Sequence, residues 1–159
     1  MVEQKNLEQA KSVFGTLCQA LENYELHFEK DEEKLAIECS IQGEDLPMEL
    51  TINVDAKRML AILISHMPFV IQEDKRLDVA VAVSAINGLL VDGSFDYDVA
   101  SGHMFFRMTN SFIDSKIGED VFIYMIYCAS KTIDEYNDKL LMLSKGIISI
   151  ERFLETFSN

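Results

Sequence analysis

The chain of 159 residues has no tryptophan, 2 prolines, 7 glycines and 3 cysteines. With so few breakers, and no Ser/Gly tract or repeat, no linker is visible, and residues 1–159 read as a single domain. Cys18, Cys39 and Cys128 are odd in number and far apart, without CxxC or Cys/His metal spacing, so they read as buried free thiols in a reducing cytoplasm rather than a disulfide framework. Basic residues are scarce as well: 14 Lys and Arg face 27 Asp and Glu, a formal net charge of -13. Lys57-Arg58 and Lys75-Arg76 are isolated pairs, so neither nucleic acid nor an anionic membrane surface is an expected partner. The longest apolar run, Met59 to Ile64, falls far short of the roughly 20 residues that span a bilayer. The opening MVEQKNLEQAK lacks the apolar centre of a secretory leader, which again points to the cytoplasm.

Signatures of chemistry are missing too. There is no P-loop, GxGxxG, GxSxG or HExxH. Asp92, Asp96 and Asp98 lack the spacing of a calcium loop, and Asp96 and Asp98 fit the wet side of a strand. His27, His66 and His103 fall in different elements, with no second ligand at metal spacing. Cys128 has no basic neighbour nearer than Lys131 to turn it into a nucleophile. No catalytic residue, cofactor or metal is expected.

What the chain does have is apolar residues, at 48%, with a mean hydropathy of +0.06 and a pI near 4.5. That is enough for a real core under an acidic surface. Leu7, Ala10, Phe14, Leu17, Leu21 and Tyr24 recur at helical spacing. The period then becomes two. Tyr24, Leu26 and Phe28 form a first stripe, Leu35, Ile37, Cys39 and Ile41 a second, and Leu46, Met48, Leu50, Ile52 and Val54 a third, with polar residues between. Such alternation predicts an antiparallel sheet that is wet on one side. Met59 to Ser65 is apolar on both faces and reads as a central strand rather than a short helix, because Ile62 and Ile64 are β-branched and Pro68 follows closely.

Asp74 to Val91 is predicted as a helix ending at Asp92-Gly93, with Gly93 left-handed. A hairpin follows. A two-residue turn at Ala100-Ser101 pairs Tyr97 with Met104 and Phe95 with Phe106, sets Asp98 opposite His103 and places Arg107 diagonal to Asp96. Gly118, Glu119 and Asp120 start a long helix with a core stripe of Phe122, Ile126, Ala129, Ile133, Tyr136, Leu140 and Leu143, which Gly146 ends. Ser149 caps a short closing helix carrying Ile150, Phe153, Leu154 and Phe157. The fold class is therefore α+β in two layers: an antiparallel sheet of five to six strands with helices, in the order α-β(3-4)-α-β(2)-α(2).

The functional content lies in apolar surface. On the central helix, Leu77, Val81 and Ile86 cannot share a narrow stripe with Val79, Val83 and Leu90, so two faces need cover. The cover is either another helix of the chain or a second subunit. Phe105 points away from the inward set of its strand, and Tyr124 and Tyr127 lie off the core stripe of the long helix. The candidate interaction surface is thus Val79, Val83, Leu90, Phe105, Tyr124 and Tyr127. The 8 methionines, Met59, Met67, Met104, Met108, Met125 and Met142 among them, read as core filler or as an adaptable interface.

Three stretches carry a likeness: Pro68-Phe69-Val70-Ile71-Gln72-Glu73-Asp74-Lys75-Arg76 before the central helix, Ile86-Asn87-Gly88-Leu89-Leu90-Val91-Asp92-Gly93-Ser94-Phe95 after it, and Gly102-His103-Met104-Phe105-Phe106-Arg107 in the hairpin. With the order of elements, they make residues 22 to 146 resemble the YbjN-like family, proposed bacterial sensory-transduction regulators whose fold is similar to that of type III secretion chaperones. The resemblance brings no catalytic residue. It implies a protein-binding module with regulatory or chaperone-like work, dimeric through the central helix. The expected function is a non-enzymatic module that binds an as yet unidentified protein partner and forms a homodimer. The alternatives are a small-ligand or catalytic domain with a pocket between sheet and helices, and a structural subunit of a larger assembly.

Overall fold

The computed structural model describes residues 1–158, the side chain of Val2 apart. Helix α1 (Val2–Asn23) precedes strands β1 (Glu29–Asp31), β2 (Ala36–Gln42), β3 (Pro47–Asp55) and β4 (Leu60–His66). A 3-10 turn (Glu73–Lys75) leads into α2 (Arg76–Asn87), then β5 (Ser94–Tyr97), β6 (Met104–Ser111), α3 (Glu119–Ser144) and α4 (Ile150–Glu155). The six strands are all antiparallel in the order β1-β2-β3-β4-β6-β5. This is the α+β class and element order that the sequence predicts, with Leu60–His66 a strand in the middle of the sheet.

Three turns of one design set the sheet's registers. Asp31, Asp55 and Asp98 each open a reversal whose fifth residue is left-handed: Leu35 (φ 51), Met59 (φ 57) and Gly102 (φ 78). In each, the aspartate Oδ1 accepts the backbone N–H two residues on, from Glu33, Lys57 and Ala100. Such a side chain holds the turn while the strands are still forming. A left-handed residue with a Cβ costs about 1–2 kcal/mol. Leu35 and Met59 offset that cost by burial, a gain of about 1.5–3 kcal/mol each.

The hairpin register is as predicted, Tyr97 on Met104 and Phe95 on Phe106, and Arg107 reaches Asp96 at 2.8 Å. The turn itself is longer than two residues, because Gly102 N–H donates to Asp98 O and Asp98 N–H to His103 O.

All helices lie on one face. α1 packs on β3, α3 on β3 and β6, and α2 beside β5. Inward strand residues alternate as expected: Ile37 and Cys39, Met48 to Val54, Ala61 and Leu63, Phe95, then Met104, Phe106 and Met108. Phe95 meets Phe106 edge-on at 5.1 Å between centroids and Tyr136 of α3 at 6.3 Å. Met48, Met59, Met67, Met104, Met108 and Met125 are buried filler, while Met142 is half-buried.

Three expectations need correcting. The alternation at Tyr24, Leu26 and Phe28 is not a strand. α1 ends in a left-handed Glu25 with Leu26 N–H on Leu21 O, a closure that uses these residues before β1 can start. Leu7 and Tyr24 are exposed, because the face of α1 that meets the sheet runs through Val13 and Ala20 instead. Helix α2 stops at Asn87, four residues short of Val91. The Asn87 carboxamide turns to β5, accepting Phe95 N–H and donating to Phe95 O, each at 2.9 Å. Gly93 is left-handed as expected (φ 75).

Candidate protein-binding surface

Helix α2 has a buried stripe and an uncovered one. Val79, Ala82, Val83 and Ile86, at helical spacing i, i+3, i+4, i+7, are buried against β5, α3 and α4. The opposite side carries Leu77 at 75% and Val81 at 50% exposure. The expectation therefore had the faces reversed. Val79 and Val83 belong to the core of this chain and cannot form a free surface, and Leu90 is half-buried against the same core. Leu77 and Val81, which the sequence places on a face needing cover but outside the candidate surface, are the uncovered ones. Their signal was the unbroken 79-82-83-86 stripe with small Ala82 at its centre, which only the inward face completes.

The loop after α2 adds a second patch. Leu89 and Val91 are exposed there, and the Asp92 carboxylate lies at the Tyr124 hydroxyl on α3 and holds its pKa up. Tyr127, one turn along, is 62% exposed, with the Lys131 ammonium 5.9 Å from its ring centre. The structure thus brings Tyr124 beside the Leu89–Asp92 loop through Asp92, joining two segments more than 30 residues apart in sequence.

The third surface is the helix-free face of the sheet. Leu60, Ile62 and Ile64 of β4 point there, half-buried, between Thr51 and Asn53 of β3 and Arg107 and Thr109 of β6. Phe105 is on this face, half-buried, tilted against the exposed His66 ring at 5.4 Å. The apolar run with two apolar faces was the sequence signal for it.

Two clefts open at the edges of the helical layer. One of ≈ 630 Å³ runs between α1 and the segment before α3, where Gln9 donates to Phe112 O and Ser115 O. Another of ≈ 460 Å³ lies between α2 and β5. Cys39 is buried, and burial, with the Glu49 carboxylate nearby, pushes its thiol up to about 11. Cys18 and Cys128 are half-buried, less enclosed than expected; burial raises the Cys18 pKa too. Among the described residues, no group of three or more His, Cys, Asp and Glu comes together as a metal site, and no helix is long and apolar enough to cross a membrane.

No protein-family profile matches the chain, and no curated protein matches it either. Solved structures do. A structure of YbjN from E. coli aligns with a TM-score of 0.56 at 15% identity, covering 79% of this chain and 92% of YbjN. A chain of the ExsC–ExsE complex aligns with a TM-score of 0.58 at 14% identity, covering 81% of this chain and 93% of the other. The HopA1–SchA chaperone–effector complex aligns with a TM-score of 0.46 at 16% identity, over 83% of this chain and 89% of the matched chain. The fold is similar to that of YbjN and of the matched chain in the ExsC–ExsE complex.

Proposed function

We propose that residues 1–159 form a non-enzymatic protein-binding module of chaperone-like type, which self-associates through α2 and holds partner segments on its remaining apolar surface. The observation that carries this reading is the uncovered apolar side of α2, Leu77 and Val81, on a fold similar to a chain crystallised in the ExsC–ExsE complex. An exposed apolar pair on one helix face, with Leu89, Val91 and two tyrosines exposed elsewhere on the molecule, suits protein contacts better than water. The surface charge of -13 favours partners with basic segments. A cytoplasmic, regulatory role belongs to the same reading.

Light scattering tests it. The wild type should run at twice 18.1 kDa, and the Leu77→Lys, Val81→Lys double variant at 18.1 kDa with unchanged far-UV circular dichroism. A wild type that stays at 18.1 kDa up to millimolar concentration removes the dimer. Partner capture is tested separately, by cross-linking in the native cell: Tyr124→Ala with Tyr127→Ala should lose the captured protein while keeping the mass. Capture that is unaffected by those changes removes the tyrosine surface from the reading.

A further inference from the structure

β5 is an edge strand of only four residues, and it carries Phe95 and Tyr97 inward. The hairpin ladder fixes which of its backbone groups are free. Asp98 N–H bonds to His103 O, so by alternation Asp96 with Phe105 and Ser94 with Arg107 are the hydrogen-bonded pairs. The N–H and C=O of Phe95 and Tyr97 therefore face outward, where a further strand would attach. Edge strands of this kind template pairing with other chains unless something covers them.

We infer that Asn87 is the cover: its carboxamide takes the place of a neighbouring strand and keeps the β5 edge closed to strand addition. The pairing is two-pointed and reproduces what a strand would offer. Oδ1 accepts from Phe95 N–H and Nδ2 donates to Phe95 O, both at 2.9 Å. At the other end of α2, Tyr97 Oη donates to Arg76 O at 3.1 Å. The Arg76 guanidinium holds Ile71 O, Ala100 O and Ser101 O, so the start of the helix is fastened to the turn that follows β5. Between these two fastenings lies the ≈ 460 Å³ groove, with Ala80, Val83, Phe95 and Tyr97 among its walls. Its apolar walls would meet the side chains of an added strand once Phe95 is released, beside Ser84 and the paired Asp96 and Arg107.

The test uses the full chain with Asn87→Ala, and a labelled peptide copying residues 103–111, the segment that already pairs with β5 on its other side. Two measurements go together. Amide exchange at Phe95 should rise roughly tenfold or more in the variant, with Phe106 unchanged, since the loss is confined to the edge. Fluorescence anisotropy should show the peptide binding the variant at least about tenfold more tightly than the wild type, each lost hydrogen bond counting for a factor of a few. Unchanged exchange at Phe95, equal binding to both chains, or a freed Phe95 amide without peptide binding each overturns the inference. Should circular dichroism show that Asn87→Ala does not fold, Asn87→Ser, whose hydroxyl is too short to reach both groups, takes its place under the same criteria.

Discussion

Gly102→Ala provides a strong test of the turn argument, because the same turn occurs three times and only once with glycine. At Asp31–Leu35 and Asp55–Met59 the left-handed position carries a side chain that goes into the core. At Gly102 a Cβ would overlap Ile71 O and lie 3.1 Å from Arg76 Nε. The Ile71 carbonyl would have to retreat, and Ile71 N–H now bonds Gly102 O at 2.9 Å. The penalty has three parts: about 1–2 kcal/mol for the left-handed alanine, about 0.5–1.5 kcal/mol for the strained backbone bond, and up to about 1 kcal/mol for the displaced, partly exposed Arg76 contacts. The sum is about 1.5–4.5 kcal/mol, against a total of roughly 5–15 kcal/mol for an ordinary domain. Met59→Gly is the matched control. It relieves about 1–2 kcal/mol of backbone strain and gives up about 1.5–3 kcal/mol of buried side chain, a net loss of at most about 2 kcal/mol. Urea unfolding followed by circular dichroism reads both, with the midpoint falling further for Gly102→Ala and the slope unchanged. A Gly102→Ala chain within about 0.5 kcal/mol of the wild type would refute the close-approach argument altogether.

Three further outcomes follow from named contacts. Asp134 on α3 accepts Glu44 N–H at 2.8 Å and sits where a Gly43 Cβ would be, so Asp134→Ala should lower stability by about 1 kcal/mol, and Gly43→Ala by more, in the same urea assay. Cys39 keeps its proton to about 11 in the folded chain against an ordinary value of 9.0, so its contribution is complete below pH 9 and is lost as pH rises towards 11. That loss is up to about 3 kcal/mol and should vanish in Cys39→Val, as read by comparing unfolding midpoints at pH 8 and pH 10.5. Leu77→Lys alone, on an exposed site, should shift monomer stability by no more than about 0.5 kcal/mol while weakening self-association, which separates an interface residue from a core one.

Period-two stripes, the hairpin register and the core face of α3 were legible because each rests on an apolar side meeting one packed layer. The misread positions share a different property: local pattern was overruled by a hydrogen bond that closes the chain elsewhere. Tyr24 to Phe28 alternates as a strand does, yet the helix-end closure at Glu25 uses those residues first. Leu89 and Leu90 continue a helical pattern, yet Asn87 leaves the helix for Phe95. On α2 both sides are apolar, so composition cannot choose between them. Spacing can, since Val79, Ala82, Val83 and Ile86 form a complete stripe while Leu77 and Val81 are followed by Ser84 and Gly88. The candidate site was accordingly half legible. Tyr124 and Tyr127, expected off the core stripe, are exposed and Phe105 is half-buried, while the Leu89–Asp92 loop beside Tyr124 comes from another segment that only the fold brings near.

The uncovered sheet face sets a geometric limit on any partner lying there. β4 presents Leu60, Ile62 and Ile64 outward over seven residues, roughly 20 Å of strand. Its neighbours at the same level are Thr51, Asn53, Arg107 and Thr109, so the apolar band is one strand wide. A stable interface buries about 800 Å² per partner, several times what such a band provides. A partner following β4 would therefore spend most of its length over polar side chains. One crossing the strands at the His66 and Phe105 end gains an aromatic pair and the Ile64 side chain together, with Asp96 and Arg107 already paired to each other beside it. The apolar parts of this surface are small and separate, on α2, on the tyrosine face of α3 and on β4. With α2 given to self-association, binding that draws on both the tyrosine face and β4 requires an extended segment rather than a globular face, because only a chain running around the molecule reaches each in turn.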